Sequence, residues 1–200
     1  MSRIILISVA LGIIAGRLGI GAGHEVLLSK TGVFALNAMV FLVGISLGAN
    51  KEAGERLRTV GFKAILPPLA VALGSIIGAA LAGVALKMNV FEAMAVGAGF
   101  GWYSFSGVIL HQMVGAQLGA IAFLSNVFRE LLAVVSIPFV RKKFGKLAAI
   151  APGGATSMDT TLPIISREAG LEIAALGFLS GAILSAIVPL LVPALARLII

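Results

Sequence analysis

Gly97-Ala98-Gly99-Phe100-Gly101-Trp102-Tyr103-Ser104-Phe105-Ser106-Gly107 and Pro152-Gly153-Gly154-Ala155-Thr156-Ser157-Met158-Asp159-Thr160-Thr161-Leu162-Pro163 interrupt two otherwise apolar stretches of this 200-residue chain. Glycine and proline at this density weaken helix propagation, and hydroxyl side chains compete for the backbone's own partners. The windows 91–114 and 147–169 are therefore poor continuous helices. The surrounding sequence is 60% hydrophobic and only 12% charged, with a mean hydropathy of +1.12. Soluble domains average roughly a quarter charged residues. Several windows hold about 20 apolar residues, enough to cross a hydrocarbon core of about 30 Å. The fold class is an all-α polytopic membrane protein. In lipid, non-helical backbone survives only when buried in protein or lining a wet cavity, so both breaks should face the protein interior.

Working outward, apolar segments fall at about 4–20, 31–49, 62–86, 117–140 and 171–199, giving five to seven membrane segments once the two windows are counted. The first lacks a small-residue cleavage pattern and reads as a retained helix. Its Gly12-xxx-Gly16 spacing suits close helix approach, which ordinary packing also explains. Pro67 and Pro68 suit a helix's first turn, and Pro189 and Pro193 predict a kinked last helix. The expected organisation is an N-terminal helix pair (1–60) and a transport core of two repeats (61–115 and 116–169), followed by a final helix (170–200). Tyr103-Ser104-Phe105-Ser106 and Thr156-Ser157-Met158-Asp159 share an x-Ser-x-[Ser/Asp] pattern between the repeats. Paired interrupted segments in two halves are a sequence pointer to a transporter's binding site.

Loop charge bears on orientation. If both windows are re-entrant, Lys/Arg at 3, 51, 56, 58, 63, 141, 142, 143, 146 and 167 share one side, ten against the four at 17, 30, 87 and 197. If both cross, the split is a near-even eight against six. The re-entrant arrangement is expected, and it makes the two repeats an inverted pair of discontinuous helices. The net charge of +7 then serves topology and anionic membrane lipids, with no nucleic acid implied. The chain has no cysteine, and no metal-ligand spacing, phosphate loop or nucleophile constellation is present. Neither enzyme activity nor a cofactor is expected.

Asp159 is the only aspartate and sits inside the second break. A charge near the bilayer centre costs about 2.5–3.5 kcal/mol on insertion scales, so it is expected to have a partner or a bound cation. A helix cap by Ser157 or Asp159 near Thr160 is the competing reading. Half-helix N-termini suit a carboxylate, whereas hydroxyls and carboxylates suit an ammonium. An amino acid needs both, so the expected substrate-binding residues are Asp159, Ser157, Thr156, Ser104, Ser106, Tyr103 and Trp102. Asp159 and Glu130 are the candidates for proton or ion coupling. Arg129 and Glu130 are adjacent, about 100° apart on a helix and a poor direct pair. Gly99, Gly101, Gly153 and Gly154 are the expected structural breaks. Glu92 reads as an N-terminal helix charge, and His111 and Gln112 as packing or hydrogen-bonding residues.

Gly99–Gly107, Gly154–Pro163 and Gly44-Ile45-Ser46-Leu47-Gly48 together resemble the lysine exporter (LysO) family from about residue 40 onward. The resemblance implies a prokaryotic inner-membrane, multi-pass carrier that expels L-lysine and toxic lysine analogues in exchange for protons. It also implies an intramembrane acidic residue at the position of Asp159. Longer members carry further helices and a second intramembrane acidic residue in their N-terminal portion. Here Asn37 lies in the corresponding region, with no carboxylate between Glu25 and Glu52. Either Glu130 substitutes, or a homodimer or a small membrane partner chain completes the carrier. A cation/proton antiporter and a non-transporting assembly subunit are the alternatives that the residues leave open.

Cysteine scanning on this cysteine-free background tests the orientation. Positions in 51–63 and 141–146 should label from one side and positions in 114–117 from the other. Labelling of 114–117 from the same side as 51–63 would make the first window cross.

Overall fold

Pro67 and Pro68 occupy the first turn of helix α1, Leu66–Ala85, where the missing N–H groups would have had no intrahelical partner. Asn89 caps the next helix, α2 (Val90–Gly97), by accepting the Phe91 N–H at 2.8 Å, and Glu92 stands in its first turn. The carboxylate there complements the positive end of the helix dipole. Non-helical residues 98–102 separate α2 from α3, Tyr103–Met113. After Gly115 comes the long α4, Ala116–Phe144, whose last turn holds Arg141, Lys142 and Lys143. Lys143 lies over the Phe139 and Phe144 rings at 5.9 and 5.5 Å, an amphipathic anchor at the cation-favouring end of the helix. Two short 3₁₀ turns, Leu147–Ile150 and Gly154–Met158, precede α5, Leu162–Ala169. The final helix α6, Leu171–Ala196, continues through Pro189 and Pro193.

This computed structural model describes residues 64–200 throughout and scattered positions between residues 11 and 45. The chain forms two compact units, Met1–Ile45 and Ser46–Ile200. In the first, Thr31 Oγ1 donates to the Leu27 carbonyl at 2.8 Å. The expectations for Gly12-xxx-Gly16, Gly44–Gly48, Asn37 and the charged loop 51–63 lie outside the described residues.

Helices α1, α4 and α6 are each long and apolar enough to cross a membrane, matching the segments expected at 62–86, 117–140 and 171–199. Their outward faces support a hydrocarbon solvent. Leu66, Leu69, Leu73, Ile77, Leu81 and Val84 form an exposed stripe along α1, and Leu124, Phe128, Leu132, Val135 and Phe139 form one along α4. These recur every three to four residues, the period of one helical face. Contiguous apolar stripes of this kind mark a membrane-facing surface. α6 is the most enclosed of the three: Leu184, Val188 and Val192 are fully buried along it.

Both windows are interrupted, but the interruptions differ in kind. The first is two α-helical arms of 8 and 11 residues around a five-residue turn, about 12 and 16 Å long at 1.5 Å per residue. The second enters through 3₁₀ turns and has one α-helical arm of 8 residues. The shared x-Ser-x-[Ser/Asp] pattern therefore adopts two conformations: Tyr103–Ser106 is the first turn of α3, while Thr156–Asp159 lies in a 3₁₀ turn and its exit.

Gly154 stands at φ 59°, and a Cβ there would collide with the Phe100 carbonyl oxygen. Gly154→Ala should therefore destabilise the fold by about 1–3 kcal/mol. The readout is a lowered thermal midpoint of the purified protein in detergent, and an unchanged midpoint would refute this account.

Candidate functional site

Asn126, one turn before Glu130 on α4, organises the first break. Its Oδ1 accepts the Gly101 N–H at 2.7 Å. Its Nδ2 stands within hydrogen-bonding distance of the carbonyls of Ala122 (2.9 Å) and Val96 (3.1 Å) and of Ser106 Oγ (3.3 Å). A single buried amide thus ties the end of α2, the turn itself and the Ser106 hydroxyl of α3 together. Gly99 makes room for it: a Cβ there would sit 2.6 Å from Asn126 Nδ2 and 2.7 Å from Ser106 Oγ.

The second break docks directly on the first. Phe100, fully buried and held at φ 48°, accepts the Ala155 N–H on its carbonyl at 2.8 Å. Thr156 Oγ1 donates to Gly153 O at 2.9 Å, and Thr161 Oγ1 to Thr156 O at 3.0 Å. Ser157 Oγ lies 2.7 Å from Gly154 O and 2.8 Å from Gly177 O on α6. Ser106 Oγ donates to Trp102 O at 2.9 Å. The hydroxyl protons of Ser106, Thr156 and Ser157 are therefore directed to backbone carbonyls, of which Trp102 O and Gly153 O also accept backbone N–H groups at 3.0 and 3.1 Å. Gly99 and Gly101 lie in the first turn, and Gly153 and Gly154 at the second.

Asp159 follows these turns and is exposed. Its Oδ1 accepts the backbone N–H of Thr160, with Thr160 Oγ1 at 3.3 Å. The capping alternative is corrected. α5 begins at Leu162 with Thr161 at the cap position and no side-chain cap bond, because Asp159 turns onto its immediate neighbour and Ser157 onto carbonyls. Glu130 reaches the same place from α4. It is 4% exposed, its Oε1 has no hydrogen-bond partner among the described residues, and its carboxyl meets the Thr160 side chain. Tyr103, stacked edge-on against Phe123 at 5.4 Å, lies within electrostatic reach of both carboxylates. Two acids from different elements, a threonine between them and a phenol thus converge beside the second break. This arrangement offers several oxygen ligands for an ammonium or a proton.

Trp102 packs on Phe105 with ring centroids 5.0 Å apart, and Trp102 and Ser104 are partly exposed at the start of α3. His111 and Gln112 are exposed further along it. Arg129, as expected, does not pair with Glu130. It turns to neutral acceptors: Ser75 Oγ at 2.5 Å and the carbonyls of Pro152 and Ala151, both at 3.4 Å. Thr160, Asn126, Arg129 and Ser75 carry more of this arrangement than their sequence context suggested. The available signal was polarity within an apolar span, since polar side chains there face protein or cavity. Asn126, Arg129 and Glu130 lie within five residues of one helix.

The sequence matches the lysine exporter LysO family over residues 6–196. It is 34% identical over 159 residues to the lysine exporter LysO of Escherichia coli strain K12, covering 80% of this chain and 52% of that protein. It is 33% identical over 161 residues to a Haemophilus influenzae protein that bears a provisional lysine-exporter name, covering 80% of each. The chain thus spans about half the length of the E. coli relative. No solved structure matches it.

Removing the Asn126 amide leaves the buried Gly101 N–H unpaired, at a cost of about 1–3 kcal/mol. Asn126→Ala should therefore lower the thermal midpoint in detergent, whereas Ser125→Ala, one residue away and exposed, should not. Equal effects of the two would contradict the role given to Asn126.

Proposed function

The chain belongs to the lysine exporter LysO family, and from that premise we propose that it carries L-lysine and lysine analogues out of a prokaryotic cell across the inner membrane, in exchange for protons. The observation that carries this reading is the convergence of Glu130 and Asp159 beside an interrupted helix, with Glu130 Oε1 buried and without a hydrogen-bond partner among the described residues. Burying a charged carboxylate is costly, and an ammonium or a proton relieves it. Alternating occupancy of one carboxylate pair by the two is the basis of exchange. A ligand shifts a conformational equilibrium only through its different affinity for the two states.

Asp159 and Glu130 are the ammonium and proton acceptors in this reading, with the Tyr103 and Thr160 hydroxyls completing the polar wall. Ser104 and Trp102 flank the opening, while Ser106, Thr156 and Ser157 keep the two breaks in shape around it. Glu130 supplies a second acid from within residues 64–200. The two windows act as opposed re-entrant segments of an inverted repeat, which supports alternating access by movement of one repeat against the other. A homodimer or a small membrane partner chain extends the carrier.

Proteoliposomes containing the full chain should export lysine at a rate that rises with an imposed pH gradient. Asp159→Asn should reduce that flux at least about tenfold, the equivalent of 1.4 kcal/mol, and Glu130→Gln should reduce it in the same direction. Undiminished flux in Asp159→Asn would remove the aspartate from the mechanism. Competition between Na⁺ and lysine without any pH dependence would favour a metal-cation antiporter instead.

A further inference from the structure

Arg129 carries a positive charge in the middle of α4, a helix long and apolar enough to span the membrane. Among the described residues the single ion pair is Arg167–Glu168, so none of their carboxylates pairs with Arg129. Its acceptors are one serine hydroxyl and two backbone carbonyls, contacted through Nη1, Nε and Nη2. A guanidinium has five N–H donors. These three contacts leave one N–H on each terminal nitrogen, and a carboxylate has two oxygens to accept from an arginine. A half-buried cation whose acceptors among the described residues are all neutral is electrostatically incomplete, and arginine is the residue suited to planar, two-point recognition of a carboxylate.

The same side chain lines a cavity of about 280 Å³, together with Ser125 and Asn126 of α4, Ala79 and Gly83 of α1 and Gly97 of α2. That volume lies just below the roughly 300 Å³ at which typical ligand pockets begin, so it suits only a small ligand, and its lining is apolar apart from Ser125, Asn126 and Arg129 on α4. The location ties it to the breaks. Arg129 contacts the carbonyls of Ala151 and Pro152 at the entry to the second break, and a Cβ on Gly101 of the first would come within 3.9 Å of its Cδ. Glu130, the next residue, points roughly 100° away and contributes to the carboxylate cluster.

We infer that Arg129 and its cavity form a binding site for the α-carboxylate of the transported amino acid, separate from the acidic pair that takes the ammonium. The inference rests on the amino-acid export reading and deepens it. Neighbouring positions on one helical turn then read the two opposite charges of a zwitterion. Diamines and carboxyl-blocked amino acids are discriminated against because they leave Arg129 without its anion.

The test compares L-lysine with L-lysine methyl ester, which keeps both amines and lacks the carboxylate charge. Calorimetric binding to the purified full chain should favour lysine at least tenfold. Arg129→Gln should remove that preference by weakening lysine while leaving the ester unchanged, and Arg129→Lys should restore part of it. Equal binding of lysine and ester by the unaltered protein overturns the inference, as does a preference that survives in Arg129→Gln. Should Arg129→Gln fail to fold, the comparison in the unaltered protein and in Arg129→Lys decides alone. Flux in proteoliposomes separates the two readings. A protein that binds lysine with this preference but carries none across keeps the carboxylate site and loses the export function. One that exports lysine and its ester equally keeps export and loses the site.

Discussion

The hydrogen bond from Ala155 N–H to the Phe100 carbonyl is the contact on which this architecture turns. Both groups belong to backbone that has left the helix inside an apolar unit, where an unpaired N–H or C=O costs several kcal/mol. Neither interruption satisfies itself. The first relies on an amide from α4 and offers a carbonyl to the second. The second relies on that carbonyl, on its own hydroxyls and on the guanidinium of Arg129. Phe100 held at positive φ is a local cost of bringing the two turns into register, while Gly154 adopts φ 59° without steric strain. Their mutual satisfaction makes the crossing of the breaks a fixed point, while the helices around it present aliphatic faces outward.

This economy explains why so many polar side chains in the breaks are not obvious ligands. Ser106, Thr156, Ser157 and Thr161 direct their protons to backbone carbonyls. Polar groups beyond that framework stand out by contrast. Among the described residues, Glu130 has a buried oxygen without a partner, Asp159 bonds only its neighbour, and Arg129 is a cation with neutral acceptors. The charges sit on adjacent residues of α4 yet are kept apart, because successive side chains on a helix diverge by about 100°. Direct pairing would have neutralised both. Keeping them separate preserves an acidic and a basic station on a single turn.

Much of the fold was legible in the chain. The three long helices fell within a few residues of the apolar runs that forecast them, since the length and hydropathy of a membrane span are local properties. The positions of the interruptions were equally readable from Gly97–Gly101 and Pro152–Gly154. Less could be read of their shapes. The shared x-Ser-x-[Ser/Asp] spacing suggested equivalent turns, but one copy begins an α-helix and the other occupies a 3₁₀ turn. Four-residue similarity does not determine backbone conformation when the surrounding contacts differ. The proposed capping role of Ser157 failed for a related reason: its hydroxyl faces Gly177, twenty residues away on α6.

The sequence by itself determined that this is a helical membrane protein with two broken segments, one holding its sole aspartate, because composition and helix-breaking residues act locally. Its motifs also carried the family resemblance. Tertiary structure alone decided which polar residues maintain the breaks and which remain available for chemistry. Asn126 became the bracket for one turn, Thr160 came to stand between two acids, and Arg129 was left facing a cavity instead of Glu130. The physical reason is that a hydrogen bond or an ion pair depends on separations of about 3 Å between groups that lie 20 to 54 residues apart in the chain. No spacing rule along the chain encodes such distances.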